Sequence, residues 1–196
     1  MRSRTKKKLP IGIQSFVEIR DGGYYYVDKT RFVLKLVEEG KYYFLSRPRR
    51  FGKSLFLDTL KQAFLGRREL FEGLYLEKNW DWDVRYPVVH IDFGGGVTEN
   101  SLHLKKTFFS ILEKIASDHQ IHLTEELIER RFMELIEKMS KKYGQKVVVL
   151  IDEYDKPILD RMEDREAAMS IREELRNIYS VLKPLDEYLR FVFITG

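Results

Sequence analysis

Two clusters of residues in this sequence have the chemistry to handle a phosphate chain. The first is Ser46-Arg47-Pro48-Arg49-Arg50-Phe51-Gly52-Lys53-Ser54. A glycine reaches backbone angles that turn successive N–H groups toward one anion, and Gly52 stands where that turn is needed. Lys53 carries a positive charge on a stem long enough for terminal phosphates, and Ser54 offers a hydroxyl to a divalent cation. A helix opening at Lys53 adds the partial positive charge of its N-terminus. Arg49, Arg50, Phe51, Gly52, Lys53, Ser54 and Leu55 therefore form the candidate nucleotide-binding stretch. The usual spacing, GxxxxGK[ST], has a glycine where this chain has Arg47, so the start of the loop differs. Arg49 and Arg50 either reinforce the anion site or are simply solvated.

The second cluster is Asp152-Glu153, which closes the apolar run at 147–151 about 100 residues further on. A strand that ends in two carboxylates can present both at the mouth of a sheet. In this reading Asp152 joins Ser54 in holding Mg²⁺, directly or through its water. Glu153 polarises the attacking water, and Lys53 neutralises charge on the phosphates during catalysis. The bland alternative is a pair that merely caps the next helix. Thr195, at the end of the last apolar run, is a candidate contact for the γ-phosphate, and Asp92 either stands behind the metal or starts a loop. Asp155 is a weaker candidate carboxylate that fits a cap before Pro157. The four histidines, His90, His103, His119 and His122, show no metal spacing.

These residues need elements to position them. Apolar runs at 42–45, 87–92, 146–151 and 190–195 read as strands, with a further short aromatic strand at 24–27 after the Asp21-Gly22-Gly23 turn. Helical patterns fall at about 30–39, with Asp28 as N-cap, and from 53 to near Gly66. Others follow at about 100–118, 124–142 and 165–182. Gly94-Gly95-Gly96 reads as a flexible connector. The β-branched run before Asp152 marks a strand buried on both faces of a parallel sheet. Alternating strands and helices give an α/β fold, a three-layer α/β/α sandwich of the P-loop NTPase type with a mostly parallel sheet. Ligands of such sheets bind at the carboxyl ends of the strands. The loop after Leu45, Asp92, Asp152-Glu153 and Thr195 all fall there.

Composition narrows the class. The chain has 196 residues, 43% hydrophobic, enough for one large domain with a sizeable core. It has no cysteine, so no disulfide framework and no thiolate metal site. The longest clean apolar run is far too short to cross a bilayer, and no export signal is read, so a soluble cytoplasmic protein with no membrane partner is expected. The net charge is +4, but Arg2, Arg4, Lys6, Lys7 and Lys8 supply five positive charges, leaving the remainder at −1. The expected division is a basic, disordered arm at 1–10 and one domain at 11–196. The arm is either solvated or a nucleic-acid contact.

Four stretches carry a family resemblance. They are Tyr25-Tyr26-Val27-Asp28-Lys29-Thr30, the loop Leu45 through Leu55, Leu70-Phe71-Glu72-Gly73-Leu74, and Ile151-Asp152-Glu153-Tyr154-Asp155-Lys156-Pro157. Together they resemble the AAA-ATPase-like proteins of bacteria and archaea over about residues 11–196. The family shares the departure at Arg47. The resemblance implies ATP and Mg²⁺ as cofactors, and a Tyr-Val-Asp-Lys segment that either caps the first helix or lines the base of the nucleotide. It implies five core strands in the order 5-1-4-3-2, of which four are readable here. The chain therefore reads as lacking its last core strand and truncated at its C-terminus. A C-terminal effector domain or partner chain, of the PD-(D/E)xK nuclease type in many similar proteins, is implied but has no core in these residues. Oligomerisation is compatible with the same picture. Two functions follow: an ATP-hydrolysing module coupled to an effector or nucleic acid, or a non-catalytic nucleotide-dependent interaction module. Glu153 favours the first.

Overall fold

The computed structural model describes residues 7–48 and 50–196. Arg2, Arg4 and Lys6 of the basic arm, and Arg49 of the loop, lie outside the described residues. Four strands, β1 (Tyr42–Leu45), β2 (Val88–Asp92), β3 (Val147–Asp152) and β4 (Leu189–Thr195), form one sheet in the order β1-β4-β3-β2. Every pairing is parallel. The helices among the described residues are α1 (Phe16–Asp21), α2 (Thr30–Glu39), α3 (Lys53–Phe64), α4 (Ser101–Asp118), α5 (Ile128–Tyr143), α6 (Lys156–Leu159) and α7 (Arg165–Ser180).

Side chains alternate across a strand, so each strand feeds two cores. Val148 and Leu150, with Val88, Phe191 and Phe193, face the layer that holds α1, α2 and α3. Val147, Val149 and Ile151, with Val89, Ile91 and Val192, face α4, α5 and α7. Every residue of β3 is buried, as its unbroken apolar run requires. The result is the three-layer α/β/α sandwich expected from the alternation of elements. β1 and β2 are the two edges of the sheet.

Helix α2 keeps its expected limits, and α3, α4 and α7 lie close to theirs. Three local readings change. Residues 24–27 form no strand. Tyr25 N–H donates one bond to Lys8 O (2.9 Å), while the Tyr26 ring packs on Phe16 (5.1 Å), so the aromatic run lies against a helix and joins no ladder. Helix α5 begins at Ile128 and not at 124, because the Glu134 carboxylate accepts the N–H groups of Thr124 (2.9 Å) and Glu125 (3.0 Å) and holds that segment extended. Helix α1 is an element that the apolar periodicity does not announce. Ser15 caps it through Glu18 N–H (3.2 Å), and the Asp58 carboxylate of α3 accepts Phe16 N–H (2.6 Å).

Candidate nucleotide site at the carboxyl edge of the sheet

The sheet register lines up the candidate carboxylates. Asp92 pairs with Asp152, Ile151 pairs with Ile194, and Leu45 pairs with Thr195. Asp92, Asp152 and Thr195 thus sit side by side at the carboxyl ends of β2, β3 and β4. They alternate with the residues that face α4 and α5, so they share the face covered by α3. That is the helix that opens with Lys53 and Ser54. The sheet therefore brings Lys53, Ser54, Asp152, Glu153 and Thr195 to one end of the molecule.

The loop from Ser46 to Gly52 joins β1 to α3. Two of its described residues take left-handed backbone angles, Arg50 at φ 69° and Gly52 at φ 76°. Gly52 suits that region without strain, whereas an L side chain there is disfavoured by about 1–2 kcal/mol. Its carbonyl accepts Phe56 N–H (3.0 Å), the first bond of α3. Arg47 N–H donates to Gly196 O (3.4 Å) and Gly196 N–H to Leu45 O (3.3 Å), so the base of the loop is tied to the end of β4. Arg47 makes this contact with its backbone, a role that needs no glycine. Lys53 Nζ donates to Arg47 O (2.6 Å) and Pro48 O (3.4 Å). The ammonium therefore spans the loop on carbonyl acceptors that an incoming anion can replace. Arg50 and Phe51 are exposed, while Ser54 and Leu55 are half-buried in the first turn of α3.

Asp152 is 5% exposed and Thr195 fully buried. Asp152 Oδ1 accepts the N–H of Glu153 (3.0 Å) and the Thr195 hydroxyl (3.3 Å). Oδ2 receives no hydrogen bond from the described residues. A carboxylate with one oxygen held by hydrogen bonds and the other without a donor among the described residues fits the chemistry of a hard divalent cation or its water. Glu153 turns out of the strand at φ 50°, the third non-glycine residue in the left-handed region beside Arg50 and Gln120. Tyr154 N–H then donates to Thr195 O (3.0 Å), which locks the turn to β4. A Cβ built on Gly94 would lie 2.9 Å from Asp92 Oδ1 and 3.6 Å from Glu153 Oε2, so the loop after β2 passes close to both carboxylates and a side chain there would require Asp92 to shift. Asp92 itself is exposed and accepts Gly94 N–H (2.7 Å), starting that loop. Asp155 occupies the cap position of α6, and its carbonyl, not its carboxylate, accepts the N–H of Leu159 (3.0 Å).

A further pair braces the site from outside the two clusters. Lys156 Nζ donates to Gly96 O and to the Asp160 carboxylate (2.7 Å), and Asp160 also accepts Thr98 N–H (3.2 Å). This strut fastens the glycine loop to the segment that follows Glu153. Its signal was the i, i+4 spacing of Lys156 and Asp160.

A parallel α/β/α sandwich with a lysine-bearing loop at β1 and a carboxylate pair at β3 defines a P-loop type of nucleotide-binding fold. Residues 10–196 match the family described as "Predicted AAA-ATPase", and the chain belongs to that family. It is also similar to the "Uncharacterized protein in vnfD 5'region" of Azotobacter chroococcum mcd 1. The two are 51% identical over 193 residues, which cover 98% of this chain and 37% of that protein. The chain thus spans little more than a third of that relative's length. No solved structure matches. Among the described residues no helix is long and apolar enough to cross a membrane.

Proposed function

We propose that this chain is an ATP-binding module that hydrolyses ATP with Mg²⁺ and passes its nucleotide state to an effector in a longer protein. The observation that carries the reading is the register that sets Asp152 and Thr195 side by side on the face of α3. The backbone N–H groups from Arg50 to Leu55 and the N-terminus of α3 cradle the phosphates. Lys53 leaves the carbonyls of Arg47 and Pro48 and takes the β- and γ-phosphate oxygens in their place. Ser54 and Asp152 would hold Mg²⁺, whose charge would offset that developing on the phosphates. Glu153 holds the attacking water and accepts its proton. Thr195, bonded to Asp152, reports through β4 whether the terminal phosphate is present.

Residues 11–196 act in this proposal as the ATPase unit and residues 1–10 as a basic arm, in a cytoplasmic protein. The family supports ATP as the ligand. The effector, be it a further domain, a partner chain, nucleic acid or another copy in an oligomer, takes its input from the edge carrying Thr195 and the glycine loop. Phosphate release from ATP by the purified chain, with Mg²⁺ and with the metal chelated, tests the reading. Release that depends on Mg²⁺ supports it, and a chain that binds ATP without turning it over supports the non-catalytic alternative.

A further inference from the structure

The outer edge of β2 carries backbone groups that no neighbouring strand uses. Val148 N–H donates to Pro87 O (2.9 Å) and Phe93 N–H to Asp152 O (3.2 Å), so the odd-numbered residues of this stretch bond to β3. In a parallel ladder both groups of a residue turn the same way and successive residues alternate. Val88, His90 and Asp92 therefore turn their N–H and C=O groups to the free edge. A groove of about 460 Å³ runs along that edge. Lys61 and Leu65 of α3 line it from one face of the sheet, and Ile111, Lys114 and Ile115 of α4 line it from the other. An open slot between two helical layers, floored by unused ladder groups, has the shape of one more strand.

The charges of the slot select what can enter it. Lys61 Nζ lies 3.5 Å from His90 Nδ1, level with the middle of β2. Phe93 stacks on Phe108 (6.1 Å), and α4 runs back from there along β2. From Phe108 to Lys114 the helix advances about 9 Å, and from Phe93 to His90 the strand covers about 10 Å, so Lys114 also comes level with His90. Neither lysine forms an ion pair among the described residues. Burial and then Lys61 hold the His90 imidazole below its ordinary value, and burial does the same for His119, so the two lysines are the cations of the groove at neutral pH. Asp92 and Asp118 line its two ends. The slot is positive at its centre on both faces and negative at its ends.

We propose that the free edge of β2 docks an extended acidic segment of a partner protein, which adds a strand to the sheet and sets one carboxylate beside Lys61 and one beside Lys114. Successive residues of a strand face opposite sides, so the segment carries two adjacent acidic residues flanked by β-branched ones. A second copy of this chain does not match the charges, because a twofold axis at His90 sets Lys61 against Lys61 and Lys114 against Lys114. The docked strand ends beside Asp92, where the glycine loop that adjoins Glu153 begins. Strand addition at this edge does not depend on the phosphate-loop assignment.

The probe is a synthetic peptide of about six residues, valine and threonine around two central glutamates, titrated into the full chain and followed by amide hydrogen exchange. A companion peptide has two lysines in place of the glutamates. The glutamate peptide binds and protects the Val88, His90 and Asp92 amides, while those of Val89 and Ile91, already bonded to β3, change little. Lys114→Glu, at an exposed position, weakens the glutamate peptide by about 5- to 30-fold and strengthens the lysine peptide. Lys61→Glu does the same from the other wall, and melting curves show that each variant folds. Failure of the glutamate peptide to bind overturns the proposal. So do equal binding of the two peptides, folded variants that bind like wild type, and binding that leaves the three amides exchanging. A chain that self-associates without peptide and protects the same three amides gives the edge to a second copy, and that result overturns the proposal too.

Discussion

Glu153 couples backbone strain to chemistry, and the two can be separated by substitution. Its φ of 50° places an L residue in the left-handed region, at a cost of about 1–2 kcal/mol. Such strain persists where surrounding structure fixes it, here by the Asp152 Oδ1 bond to Glu153 N–H and the Tyr154 N–H bond to Thr195 O. Glu153→Gln keeps the strain and the shape, so the melting temperature stays within about 1 °C of wild type. ATP affinity holds or rises slightly, because one negative charge near the γ-phosphate is gone. Hydrolysis falls by about 10²- to 10⁴-fold, which is roughly 2.7–5.4 kcal/mol of barrier. Glu153→Gly relieves the strain but adds about 0.5–1 kcal/mol of unfolded-state entropy. The net gain is about 0.5–1 kcal/mol, or roughly 1–4 °C in melting temperature for a chain of this size, with the same loss of turnover. Calorimetric melting and a phosphate-release assay on the three proteins check both halves. A glycine variant less stable than wild type refutes the strain argument. Undiminished turnover in Glu153→Gln removes Glu153 as the base and turns attention to Asp155.

Other outcomes follow from the same geometry. Asp152→Asn can keep the hydrogen bonds of Oδ1 but removes the carboxylate's charge, so the gain in ATP affinity on adding Mg²⁺ falls by about tenfold or more in titrations with and without the metal. Glu134 concerns stability. Burial alone would raise its carboxyl, but hydrogen bonds from Glu125, Lys138 and Thr124 hold it at about 2, below its ordinary 4.5. A depressed folded value stabilises the protein above pH 4.5, and that contribution is lost as pH falls toward 2. Glu134→Gln therefore melts below wild type at pH 7, and the gap between the two closes in a series of melts carried from pH 5 downward.

The sheet, and the places in it of the loop before α3 and of the carboxylates after β3, were legible because they rest on local rules. The apolar run before Asp152 can only be an inner strand, and Gly52-Lys53-Ser54 after 42–45 can only be a turn into a helix. Parallel pairing then forces the carboxylates to the edge where the loop lies. Features that depend on distant partners were not legible. The Tyr24–Val27 run has the composition of a strand, and only the position of Phe16 and Thr59 shows why it remains outside the sheet. Residues 124–127 carry helix formers, and the carboxylate that holds them extended comes from Glu134 a few turns later. Glu153's left-handed backbone has no sequence signal, since glycine or asparagine is the residue expected there.

In the proposed ATP-bound state Lys53 is drawn off the carbonyls of Arg47 and Pro48 and neutralises the terminal phosphates. Calorimetric titration of ATP into wild type and Lys53→Ala tests it most directly, with melting curves to show that both fold. The melts should match, since Lys53 bonds only to loop carbonyls among the described residues, and ATP affinity should be at least about tenfold weaker in the variant. Equal affinity in two folded proteins would contradict the phosphate-loop assignment and every role built on it.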